Sequence, residues 1–263
     1  MTDTHLSLAA GLLPEFDAAV VARTAAEAGF SHAGFTIPPA TWTPQMTREV
    51  RQQIAATAIG VLDVEVVWIS AGAELTDAHR MIIDVGAELG AKNVLVVSSE
   101  ADCQQNAAAL HQLCEWAAPA GMRVCLEFLM ITEVRTLSAA LAVVQACDHP
   151  AAAILIDSLH LQRAGEGIDG VAAVDPHLLP YAQLCDGNLT CDDSYEAYLE
   201  DAIDLRAAPG EGELPLQTLL GMLPEHCPLS LEVRSRVYRE RYPDPLARAT
   251  AVLQQTQAFL RTC

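Results

Sequence analysis

The chain has 263 residues, 51% of them apolar and 19% charged, which supports one large core better than two small ones. Its formal net charge of −19 gives a field that repels phosphate backbones and anionic lipid unless the basic residues gather in one patch. They are scattered, and Lys92 is the sole lysine, so neither nucleic acid nor a membrane surface is an expected partner.

No stretch approaches the roughly 18 uncharged apolar residues of a membrane span. The opening MTDTHLSLAA lacks the basic start and small-residue cleavage site of a signal peptide, so a soluble, cytoplasmic protein is expected. The eight cysteines are spread through the chain, several inside apolar runs, and none forms a CxxC pair. They read as reduced core thiols rather than disulfides or a thiolate zinc site.

Taken in order, β-rich runs alternate with Ala- and Leu-rich helical segments from end to end. The predicted strands are 5–10, 33–37, 61–69, 93–98, 123–129, 152–157, 181–186 and 229–234. The predicted helices are 16–29, 45–58, 75–90, 103–119, 136–148, 170–178, 213–222 and 244–261. Pro14 and Asp17 stand where the first helix should start, and Gly29, Gly90 and Gly121 where helices or their trailing loops should stop. Eight such units predict an α/β fold, a single (β/α)8 TIM barrel occupying residues 1–263. The rival doubly wound sheet would want a GxGxxG or GxxxxGK[ST] after an early strand, and the chain has neither. Lys92, in GAKNV just before a strand, falls at the non-catalytic end, which argues against Schiff-base chemistry. The longest interruption, 187–212, follows the seventh strand and is an expected active-site loop.

Four predicted strands carry a polar residue at or near the C-terminal end of an apolar run. They are Glu127 in RVCLEFL, Asp157 in AAILID, Gln183 in YAQLCD and Glu232 in LSLEV. A buried carboxylate is costly unless paired, hydrogen-bonded or coordinated. A parallel barrel brings adjacent strand ends into one ring, so these groups can converge on a shared cation. Three carboxylates and an amide form an all-oxygen set that suits a hard divalent ion, Mn²⁺ ahead of Mg²⁺ or Co²⁺. The competing reading makes each a strand-end acid in a helix cap or surface ion pair.

Other polar residues lie nearby. His160 falls one turn beyond Asp157, Glu133 six residues beyond Glu127, and Arg206 is the only basic residue of the long loop. An ordinary loop histidine, a solvated acid and a surface ion pair are their bland readings. Gly210 and Gly212 mark a tight loop. Asp186 alternates off the face of Gln183 and reads as a support for the ring. Glu65 points into the barrel if VLDVEVVWI alternates, to bind substrate or be satisfied inside. Arg234 and Arg236 can meet an anionic substrate or simply solvent.

At these residues the chain resembles the xylose isomerase-like TIM-barrel superfamily, especially its sugar isomerase and epimerase branch. LSLAAGLL, AAEAGFSHAGF, AELGAKNVLVV, LEF, DSLH, QLCDG, PGEGELPL and LEV stand in family order over nearly the whole chain. The resemblance implies a metal on Glu127, Asp157, Gln183 and Glu232, with Glu133, His160 and Arg206 contacting substrate. It makes Glu127 and Glu232 the acid/base pair of an isomerase or epimerase that forms a metal-stabilised enediolate from a sugar or related polyhydroxy carbonyl compound. Ketose epimerases of the superfamily commonly carry histidine where Gln183 stands, which separates this chain from them. A dehydratase of a cyclic polyol ketone or keto acid shares the first step, and a non-catalytic or partner-dependent metal-binding barrel is the third reading. The superfamily's abasic-site endonucleases use a histidine-rich three-zinc cluster that this sequence does not supply. The resemblance also favours a homo-oligomer, a dimer or tetramer.

Overall fold

The computed structural model describes residues 5–263. Eight strands close a parallel barrel in chain order: β1 Leu6–Leu8, β2 His32–Thr36, β3 Gly60–Ile69, β4 Asn93–Ser98, β5 Arg123–Glu127, β6 Ala152–Asp157, β7 Ala182–Leu184 and β8 Leu229–Leu231. β1 pairs with both β2 and β8, which leaves no sheet edge. This is a (β/α)8 TIM barrel.

The helices are α1 Ala18–Ala28, α2 Pro44–Thr57, α3 Asp77–Leu89, α4 Cys103–Ala117, α5 Leu137–Cys147, α6 Ser158–Ala164, α7 Tyr195–Asp204, α8 Leu216–Met222, α9 Arg236–Arg241 and α10 Pro245–Leu260. Their ends follow local chemistry. Asp102 accepts from the backbone N–H groups of Gln104 and Gln105 to start α4, and Gly29 and Gly90 adopt positive φ to close α1 and α3. The main core lies between the outward strand faces and the helices, built from residues such as Leu8, Phe35, Val64, Leu110, Ile154 and Leu231. A second apolar cluster that includes Leu62, Leu95, Val97, Cys125, Leu155 and Tyr181 fills part of the barrel interior.

The helix expected over 170–178 is replaced. α6 begins directly after β6 because the Asp157 carboxylate accepts from the N–H groups of Leu159 and His160, and Gly165, at φ of 73°, stops it. Short 3₁₀ turns at Ile168–Ala173 and Pro176–Leu178 then lead to β7. The loop 187–212 holds α7, which starts at its Ser194 cap. Lys92 is exposed and immediately precedes β4, at the end of the barrel opposite the strand C-termini. All eight cysteines are free thiols. None of the described helices is long and apolar enough to cross a membrane.

Candidate active site at the barrel mouth

Register decides which side chains meet. Asp157 and Gln183 are partners across β6 and β7, and Gln183 partners Ser230, two residues before Glu232 on the same face. Glu127 pairs with Leu155, two residues before Asp157, so the same alternation brings it to that face. All four are at least 95% buried. The ligand atoms of Glu127, Asp157 and His160 lie within 4.8 Å of one another. Glu127, Gln183, Glu232, His160 and Arg206 line a single cavity of about 230 Å³.

Each acid is held differently. Asp157 Oδ1 accepts the two α6 N–H groups, while Oδ2 accepts from Arg206 Nη1 at 2.6 Å. Burial opposes ionisation of Asp157, yet the Arg206 guanidinium beside it outweighs that and holds the carboxyl below its ordinary range. Glu232 Oε1 accepts from Arg234 Nε at 2.6 Å. Arg234 also lies 3.6 Å from Glu65, whose Oε1 accepts from the Thr36 hydroxyl at 2.9 Å. Burial and then the charge of Glu232 push Glu65 up to about 7. Burial, reinforced by the Asp157 charge, pushes Glu127 well above the usual carboxylate range.

Two buried oxygens of the ring, Glu127 Oε1 and Glu232 Oε2, have no hydrogen-bond partner. Leaving such atoms unpaired is expensive, and crowded carboxylates raise each other's pKa. The formal charges of Glu65, Glu127, Asp157 and Glu232 exceed those of Arg206 and Arg234 by two. The orphaned oxygens, the crowding and the charge excess all fit a divalent cation beside Glu127, Asp157, Gln183 and Glu232.

His160, on the first turn of α6, lies with Nδ1 2.7 Å from the Tyr198 hydroxyl and Nε2 3.1 Å from Arg206 Nη2. Burial pushes its pKa down to about 4. Arg206 is also buried, its Nε donating to Ala202 O at 2.7 Å. His160 and Arg206, for which the resemblance implied substrate contact, are thus brought to the ring. Glu133 is not. Its side chain is about half exposed, 3.8 Å from Arg135, and does not line the cavity. The Thr132 hydroxyl donates to Leu129 O and Val134 O, closing a tight turn over β4 that presents Glu133 to solvent. The hydroxyl contact that the resemblance implied for Glu133 has no support in this position.

Arg236 likewise faces away, paired with Glu200 and Asp204. Asp186 is buried and supports the loop rather than the ring: it accepts from the N–H groups of Gly187, Gly210 and Leu214. Gly212 packs so closely there that a Cβ would stand 2.4 Å from Asp186 Oδ1. Glu65 and Arg234 form a wall between the first cavity and an adjoining one of about 480 Å³ that reaches Phe16, Phe35 and Trp42. Tyr198, Leu199, Ala202 and Ile203 were missed in the sequence, although their spacing after the Ser194 cap is that of one helix face.

Among solved structures, a xylose isomerase-like TIM barrel/4-hydroxyphenylpyruvate dioxygenase fusion protein superposes with a TM-score of 0.83 at 23% identity, covering 96% of this chain. The chain spans only 42% of that protein's length. A D-allulose 3-epimerase from Methylomonas sp. in complex with D-allulose gives 0.72 at 14% identity, with 97% of each chain covered. The probable 3-DHS dehydratase AsbF of Bacillus anthracis, involved in petrobactin synthesis, gives 0.72 at 15%, covering 95% of this chain and 98% of that one. At such identities these likenesses establish the fold alone. No curated protein sequence matches the chain significantly. A family model for the xylose isomerase-like TIM barrel matches residues 22–263, and the chain belongs to that family.

Proposed function

We propose that the protein is a divalent-metal-dependent enzyme that removes and returns a proton beside the carbonyl of a sugar or related polyhydroxy compound, as an isomerase or epimerase. The reading is carried by the two unpartnered buried oxygens, Glu127 Oε1 and Glu232 Oε2, in one cavity with Gln183 and two arginines, with Asp157 beside Glu127. Glu127, Asp157, Gln183 and Glu232 would hold the ion, with Mn²⁺ the first choice and Mg²⁺ or Co²⁺ alternatives. When bound, such an ion polarises a substrate carbonyl as a Lewis acid.

The remaining work belongs to the chain's own residues. Arg234 fixes one oxygen of Glu232 and leaves the other free to take the α-proton. Glu127 serves as the partner acid. Arg206, held in place by the Nε2 of the neutral His160, orients substrate oxygens, and the apolar wall of Leu129, Ile131 and Leu199 limits water around the intermediate.

Replacing Glu232 with Gln should abolish deuterium incorporation at the substrate α-carbon in heavy water, followed by NMR with ketoses, inososes and cyclic keto acids. Exchange at the wild-type rate in E232Q would remove Glu232 as the base.

A second reading, dehydration of a cyclic keto acid, is favoured by Arg234, which is 30% exposed at the junction of the two cavities, where a substrate carboxylate could reach it. The likeness to the AsbF dehydratase supports it as well. A product lighter by one water decides for this reading, and a product of unchanged mass decides for rearrangement.

A further inference from the structure

The hydrogen bonds beside the carboxylates have a fixed direction. A guanidinium has donors only, so His160 Nε2, 3.1 Å from Arg206 Nη2, must accept and carries no proton. With Nε2 bare, the ring is neutral. A neutral imidazole has one N–H, which therefore sits on Nδ1 and donates to the Tyr198 oxygen at 2.7 Å. That oxygen also accepts from the backbone N–H of Met130 at 3.2 Å. With two donors already directed at its oxygen, the phenol's own hydrogen finds no protein acceptor among the described residues, and Tyr198 lines the cavity.

We infer that Tyr198 O–H is a substrate-binding hydrogen-bond donor, aimed by His160 and Arg206 at an oxygen of the bound polyhydroxy compound. This rests on the reading given under Proposed function and adds a contact to it. Burial pushes the phenol well above its ordinary range, so Tyr198 keeps its proton and acts by donating a hydrogen bond, with no proton transfer. Helix α7, inserted after β7, thereby contributes to choosing the substrate by its pattern of oxygens. A site built to hydrogen-bond a substrate oxygen discriminates against analogues that lack it.

Two measurements test this. Histidine ¹⁵N NMR of the full chain, with and without Mg²⁺, should show His160 as the Nδ1–H tautomer with a bare Nε2 near neutral pH. An Nε2–H tautomer, or a large Nε2 shift on adding Mg²⁺, would overturn the arrangement. The spectrum needs no substrate, so its outcome is separate from failure of the proposed reaction.

The second measurement compares wild type with Y198F on the compound that exchanges and on its mono-deoxy analogues. Y198F should lower kcat/KM on the full compound by about 10- to 100-fold. For one analogue, the penalty seen in wild type should shrink in Y198F to within about threefold of none. Equal penalties in both proteins for every analogue would reduce Tyr198 to a structural anchor of His160.

Discussion

Glu65 shows how one residue couples the site to stability. Its folded pKa, about 7, stands above the ordinary carboxylate value of 4.5, so between those pH values the folded metal-free chain binds more protons than the unfolded chain. Stability should therefore fall as pH rises through that window, by up to roughly 3 kcal/mol from this group. Urea unfolding of the metal-free protein from pH 5 to pH 8 should show this loss, and Glu65→Gln should reduce it, leaving the share that comes from Glu127. An unchanged slope in E65Q would place the titration elsewhere.

The positions of Glu127, Asp157, Gln183 and Glu232 were legible because each interrupts an apolar run at a strand end, where alternation sets the direction of a side chain. Glu133 lies on a loop, where no period sets direction, and it turns outward. The pairing of Arg234 with Glu65 and Glu232 joins β3 to the segment after β8, and nothing local in either segment announces it.

The loop after β7 is the element on which the site depends most. Its helix α7 carries Tyr198, and Arg206 follows two residues after its end. Two buried devices fix it. Arg163 on α6 donates to Asp201 at 2.7 Å and to the carbonyls of Asn188 and Leu189. Asp186 collects three backbone N–H groups at the loop's two ends. Asp186→Ala should cost about 2–4 kcal/mol in urea unfolding, by leaving those donors unsatisfied, and should expose the loop to proteolysis. Wild-type protease resistance in D186A would show that Arg163 and packing suffice. Most helix boundaries were readable from caps and glycines, whereas α6 was not. Its start depends on Asp157 acting as both strand end and helix cap, a dual role invisible in a search for metal ligands.

At the scale of the whole molecule, the closed barrel follows from eight repeats of one simple alternation, which is why the architecture was readable although strand ends shifted by a few residues. Ring closure then collects acids from distant parts of the sequence at one mouth. If the proposed site takes a divalent ion, the formal excess of two negative charges there should leave the metal-free chain less stable than the loaded one, because a ligand that binds only the folded state stabilises it. Adding Mn²⁺ to chelator-treated protein should raise Tm in a concentration-dependent way, and E127Q should blunt the rise. A rise of equal size in E127Q would assign the effect to another site.

Metal content after purification and Mn²⁺ reconstitution tests the central claim most directly. About one tightly held divalent ion per chain is expected in the wild type, and its loss in a double variant, E127Q with E232Q. A wild-type chain that retains no divalent ion after reconstitution would contradict the four-residue metal site.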